Sequence, residues 1–239
     1  MRWKFILGLL TTCAVLMSMS YTMLIPFLPM YLIQDLGVVK ADVDMWSGAI
    51  FAITFLVSGI MAPIWGALAD KKSRKLMALR AGFCLAITYF LGGLVTNPWE
   101  LLGVRFIQGL SAGLWPALLA IISVESPKLK LGFCMGVMQG GMTAGGVLGP
   151  LFGGLLADQF GMRMAFFIAA AALFLITLAL LFFVKEEPRK PDPNAKPVKI
   201  WDFSLCRIPA VKRMLICAGV VQLTILMQQP IMPLYVAEL

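Results

Sequence analysis

Apolar residues run along this chain in long blocks rather than alternating with polar ones. Seven blocks cover approximately Phe5 to Tyr31, Met45 to Ala67, Leu76 to Thr96, Leu101 to Ile122, Leu131 to Leu156, Met164 to Val184 and Met214 to Leu234. At roughly 19 or more residues, each can cross a hydrocarbon layer about 30 Å thick. None shows the period-2 alternation of a barrel strand. Backbone groups in lipid must be satisfied internally, so the blocks predict seven membrane-crossing α-helices. The first is about twice the length of a signal-peptide core and lacks a small-x-small cleavage site, so it is read as helix 1.

The blocks follow one another closely until "KEEPRKPDPNAKPVK", Lys185 to Lys199, whose prolines and charges cannot build a core. The next stretch, "IWDFSLCRIPAVKR", mixes Trp201, Phe203 and Leu205 with charge and suits a membrane surface. The predicted organisation is therefore a six-helix unit over 1–184, a linker with an interfacial segment over 185–212, and a seventh helix over 213–239.

Composition agrees with a membrane protein: 60% of residues are apolar and only 13% charged, against roughly 25% charged in soluble domains. The net charge of +8 would raise the question of nucleic acid, but its distribution answers it. Of the 20 Lys and Arg residues, all but Lys40, Arg105 and Arg163 fall on one side of the alternating spans. The positive-inside rule makes that side cytoplasmic, which puts the N-terminus in the cytoplasm of a multi-pass cell-membrane protein and leaves no nucleic-acid role. The five cysteines lack paired spacing and the chain has no histidine. These features imply no disulfide framework, metal site or Ser-His or Cys-His catalysis, and no enzyme activity or cofactor is expected.

Two internal repeats are visible. "GALADKKSRK" begins at Gly66 after helix 2 and "GLLADQFGMR" at Gly154 after helix 5, on opposite sides of the membrane. Helices 1 to 3 and 4 to 6 thus read as two inverted three-helix repeats, the internal symmetry of many secondary transporters. Separately, Pro230, Pro233 and Tyr235 repeat Pro26, Pro29 and Tyr31. Helix 7 is accordingly expected to open a second six-helix half, with the chain a truncated carrier.

Three motifs point the same way. The loop after helix 2 carries Gly66, Leu68, Asp70, Lys71 and Arg74, with Ser73 where a glycine is usual. Helix 4 carries Leu101, Arg105, Gln108, Gly109 and Ala112. Helix 5 carries Gly136, Gly145, Gly149, Pro150, Gly153 and Gly154 at the spacing of an antiporter signature. In these motifs the chain resembles the major facilitator superfamily, specifically its twelve-helix drug:proton antiporters. The resemblance implies export of small lipophilic compounds coupled to protons, a gating role for Asp70 against a second transporter half, and a helix 5 seam that meets that half. In this class of carrier the substitution at Ser73 would alter the tight turn.

The residues also support a reading of their own. Gly141, Gly145, Gly149 and Gly153 are four apart and stack into a side-chain-free ridge that invites close helix approach, and Pro150 is expected to bend helix 5. Arg105 is the one charge well inside a span, with Gln108, Ala112 and Trp115 on its face; that face lines a polar cavity unless the arginine snorkels to the headgroups. Tyr21, Ser18 and Gln139 are further polar cavity candidates. The 16 methionines and 16 phenylalanines suit a pocket for varied lipophilic molecules. Asp35, at the end of helix 1, is the nearest candidate for a proton site. The alternatives are a sugar or metabolite carrier of the same superfamily, which would want a more polar pocket, and a membrane protein that does not transport.

Overall fold

A computed structural model of the protein describes residues 2–71, 73–184 and 209–237, of which the side chains of Arg2, Asp70, Lys71, Ala210 and 225–237 lie outside the description. Of the predicted linker over 185–212, residues 185–208 fall outside the described residues and the last four are the first turn of a helix that starts at Pro209. The chain divides into two compact units, Met1–Lys190 and Pro191–Leu239. Most of the described residues are helical, and none of them lies in a strand.

Six spans in the first unit are long and apolar enough to cross a membrane. Span 1 is α1 (Arg2–Thr22), followed by a turn and the short α2 (Leu28–Gln34). The predicted single helix to Tyr31 is therefore broken, because Pro26 and Pro29 withhold two backbone donors; Pro29 lies in the first turn of α2, where a missing N–H costs nothing. Spans 2 and 3 are α3 (Val43–Lys71) and α4 (Arg74–Leu94). Span 4 is also broken, into α5 (Pro98–Leu110) and α6 (Leu114–Glu125), whereas a continuous helix over Leu101 to Ile122 had been expected. Spans 5 and 6 are α7 (Leu131–Phe160) and α8 (Met162–Phe183). In the second unit, α9 (Pro209–Ala237) covers the seventh predicted block. At about 43 Å it is long enough to span. It continues through Pro230 and Pro233, so its backbone differs from the broken stretch at Pro26 and Pro29 despite the shared pattern.

The ends of these helices follow from local chemistry. Ser73 caps α4, its hydroxyl accepting from the Leu76 N–H at 3.0 Å. Asn97 caps α5 through the Glu100 N–H at 2.9 Å, with Pro98 in the first turn. The two related loops solve their turns differently. Gly161 occupies φ +81°, which favours glycine, whereas Ser73, at the matching position, is extended at φ −61°. A serine fits the first loop because its turn does not need the glycine conformation.

The most extensive pairings are α1 with α7, α4 with α8, and α3 with α5. In span numbers these are 1 with 5, 3 with 6, and 2 with 4. Exchanging the two three-helix repeats turns the first pairing into the last and leaves the middle one in place, as a pseudo-twofold relation between inverted repeats requires. Two apolar clusters form the interior. One gathers Tyr31, Leu101, Phe166 and Leu173, the other Ile6, Leu118, Ile122 and Leu180. Along span 4, Arg105 and Gln108 lie between the stretches that feed these clusters.

Candidate functional site

The break in span 4 is dictated by Gly113 and Pro116. Gly113 adopts φ +120°, a backbone open to glycine and unfavourable for residues with a Cβ. Pro116, four residues after Ala112, has no N–H to offer the Ala112 carbonyl. That oxygen instead accepts from Arg80 Nη2 on α4 at 3.0 Å, and the Leu110 carbonyl accepts from Trp65 Nε1 on α3 at 2.8 Å. The Arg80 guanidinium lies over the Trp65 ring, 3.3 Å from its centroid, a cation–π contact that holds both donors in place. In a hydrocarbon setting an unpaired carbonyl costs several kcal/mol, so these two side chains are what makes the break tolerable. Neither was singled out from sequence. Arg80 looked like one more interfacial cation, and the available signal was the Gly113–Pro116 pair, which announces orphaned carbonyls.

A cavity of ≈330 Å³ opens beside the break. Its wall is built by Met17, Ser18 and Tyr21 of α1, Thr54, Phe55 and Ser58 of α3, Tyr89 of α4, Gln108 of α5, Trp115 of α6 and Met142 of α7. Among the described residues, no carboxylate, lysine or arginine lines it. The Tyr21 and Phe55 rings meet edge to face with centroids 6.3 Å apart, and the Tyr21 hydroxyl is buried without a partner among the described residues. Such a pocket supplies aromatic faces and thioethers with a few hydroxyl and amide groups.

Arg105 stands one layer behind this wall. It is 9% exposed and donates from Nη1 to Gln108 Oε1 at 2.9 Å. Gln108 and Tyr89 face both the cavity and the narrow crevice that holds Arg105. Tyr89 donates its hydroxyl to the Ser20 carbonyl at 3.0 Å. The structure thus brings Gln108, Trp115, Tyr21 and Ser18 to one cavity, with Arg105 bonded to its polar edge and buried instead of reaching for the surface. Gln139 is exposed and does not line the cavity; Met142, one turn on, does.

A second cavity, ≈370 Å³, lies toward the loop between α3 and α4 and is lined by Trp65, Gly66, Arg74, Arg80 and several alanines. Two members of the predicted loop motif, Gly66 and Arg74, meet here. Asp70 ends the same helix, but its side chain is outside the described residues.

The glycine ridge packs on α1. A Cβ at Gly141 would stand 2.6 Å from the Thr11 methyl, and one at Gly149 would stand 2.8 Å from the Met19 carbonyl. Gly145 and Gly153 meet the Val15 and Met23 backbones more closely still, and Gly154 meets the Phe27 ring. Gly136, from the same motif, faces open space. The resemblance placed this seam against a second half; the ridge is instead filled by span 1 of the same half, because only a bare backbone lets two helices approach so closely. On the other side of α7, Val147, Leu151 and Leu155 are exposed. Pro150 is exposed, and α7 passes through it without interruption. Asp35, just past α2, pairs with Arg163 near the start of α8, Oδ1 to Nε 3.2 Å.

Comparison with known proteins agrees with this architecture. A family model described as Major Facilitator Superfamily matches residues 10–239. The multidrug resistance protein MdtG of Citrobacter koseri is 39% identical over 186 residues, covering 77% of this chain and 46% of that protein. The protein of the same name from Salmonella arizonae is 37% identical over 247 aligned residues, covering 100% of this chain and 59% of its own length. The chain therefore spans about half the length of the curated relatives it matches. Among solved structures, a bacterial homolog of the human lysosomal transporter Spinster, in an inward-facing conformation, superimposes with a TM-score of 0.68 at 23% identity, over 86% of this chain and 48% of the other. The POT family transporter PepTSo gives 0.67 at 14% identity, over 79% and 40%. At these identities the likeness is one of fold.

Proposed function

The chain belongs to the Major Facilitator Superfamily, a family of membrane transporters, and on that premise we propose that it exports small lipophilic, drug-like compounds by alternating access, coupled to protons moving inward. The observation that carries this reading is the cavity at the break of span 4, walled by Tyr21, Phe55, Trp115, Met17 and Met142 and, among the described residues, free of carboxylates, lysines and arginines. A sugar would leave most of its hydroxyls unpaired against such a wall, which disfavours the metabolite-carrier alternative. The relatives named as multidrug resistance proteins support the same substrate class.

In this reading the protein sits in the cell membrane with its N-terminus in the cytoplasm, as the asymmetry of its lysines and arginines indicates. A second six-helix half completes the cavity and moves against the first. Asp70, with Gly66 and Arg74, gates the cytoplasmic side, and Asp35 is the proposed proton site. Gln108 orients substrate while Arg105 holds Gln108.

The test is vesicles containing the chain together with a second half, an imposed pH gradient and a fluorescent lipophilic dye. Gradient-driven dye movement, with protons released in return, is the expected result. Dye movement indifferent to the gradient would remove the coupling, and no movement by correctly inserted protein would remove the exporter assignment.

A further inference from the structure

The two cavities meet at the break. Ser58, Ala112, Gly113 and Pro116 line both, so the partition between them consists of small residues and one irregular stretch of backbone. That stretch has no helical hydrogen bond to hold the Ala112 carbonyl, since Pro116 cannot supply one. Its position is set from outside, by Trp65 on α3 and Arg80 on α4. Both belong to the first three-helix repeat, whereas the break belongs to the second. A shift of one repeat against the other therefore acts directly on these two bonds.

Arg80 is also suited to letting go. Its guanidinium carries five N–H donors, and its Nε is buried without a partner among the described residues. It lines the ≈370 Å³ cavity, which gives the side chain room to swing. Gly113 provides the hinge, with φ +120° and its missing Cβ facing Arg80 Nη2 at 3.5 Å.

We propose that Arg80, stacked on Trp65 and bonded to the Ala112 carbonyl, is a positioning residue that latches the break in span 4, and that its release joins the two cavities into one path for substrate. The path rests on the transport reading above; the latch does not. Closed, the Arg80–Trp65 pair keeps Ala112 and Gly113 between the cavities. Open, the carbonyl loses its donor, the segment turns about Gly113, and the partition moves aside.

Amide hydrogen exchange on the 239-residue chain in lipid nanodiscs tests the latch. The informative amides are Ser111, Ala112 and Ala117, which border the break and bond to the carbonyls of residues 107–109 and 113. Arg80→Gln is expected to speed their exchange by about tenfold or more, the size of one lost charged hydrogen bond. Arg80→Lys should have a smaller effect, because lysine reaches the carbonyl without the planar stack. Peptides from the α1–α7 seam should not change. If they do change in Arg80→Gln, Trp65→Phe decides: it keeps the aromatic platform, removes only the donor to Leu110, and should loosen the break alone. Unaltered exchange at the break in these variants would overturn the latch whether or not the protein transports. In the transport-competent assembly, Arg80→Lys is expected to lower turnover while leaving the dye dissociation constant unchanged. Loosened exchange with unchanged turnover would overturn the role in the path. Failure of the wild-type assembly to move dye would count against the transport reading and leave the latch to be judged by exchange.

Discussion

Asp35 and Arg163 join the end of α2 to the start of α8, carboxylate oxygen to guanidinium nitrogen at 3.2 Å, across the two inverted repeats. Both side chains are partly exposed, 26% and 40%, so the pair contributes at most about 1 kcal/mol. Removing a charge held this lightly should leave the fold intact, so its part in coupling can be read separately from stability. Asp35→Asn is expected to leave the melting temperature nearly unchanged and to make dye export indifferent to the pH gradient. Gradient-dependent export that survives the substitution would eliminate Asp35 as the proton site.

The ridge on α7 separates two kinds of glycine by what stands opposite. Gly149→Leu drives a branched side chain into the Met19 backbone and should cost at least the roughly 1 to 3 kcal/mol of overpacking. Gly136→Ala meets nothing within 4 Å and should be neutral or stabilise by up to about 1 kcal/mol, since alanine is the better helix former. Thermal unfolding of the two variants in the same detergent checks the contrast. Equal effects would mean that the seam with α1 is not what the ridge serves.

Arg105 and Gln108 form one buried unit. Arg105→Lys keeps the charge but loses the fork that reaches Gln108 Oε1, and a charged hydrogen bond of this kind is worth about 1.5 to 3 kcal/mol. Export should fall sharply in the lysine variant, and Gln108→Leu should add little further loss on top of it. Additive losses in the double variant would show that the two residues act separately.

The spans and the inverted repeat were legible because apolar length and the recurrence of "GALAD" and "GLLAD" are properties of the sequence alone. The breaks in spans 1 and 4 were less legible, since the apolar runs continue through them and only the Pro26–Pro29 and Gly113–Pro116 pairs mark where backbone donors are lost. The glycine ridge was visible in its spacing of four, yet spacing does not say which helix fills it; Val15, Met19 and Met23 supplied that answer. Arg105 was conspicuous as a charge within a span with Gln108 on its face, and its depth behind the cavity wall followed from its bond to Gln108. Arg80 escaped notice because its partners are backbone carbonyls of a distant segment, which carry no residue signature.

Tyr21 offers a test in which stability and function should move in opposite directions. Its hydroxyl is buried in the cavity wall with no hydrogen-bond partner among the described residues, a condition that costs the folded state about 1 to 3 kcal/mol. Tyr21→Phe removes the hydroxyl and keeps the ring that meets Phe55, so the melting temperature should hold or rise. If the hydroxyl is kept for a ligand, a lipophilic dye with a hydrogen-bond acceptor should bind the phenylalanine variant more weakly, by about fivefold or more for one lost neutral bond. A dye without an acceptor should bind both forms equally. Titration of the two dyes against wild type and Tyr21→Phe separates the outcomes. Equal affinity for the acceptor dye would place substrate away from Tyr21, whereas a loss confined to that dye, in a protein no less stable, would assign the hydroxyl to recognition.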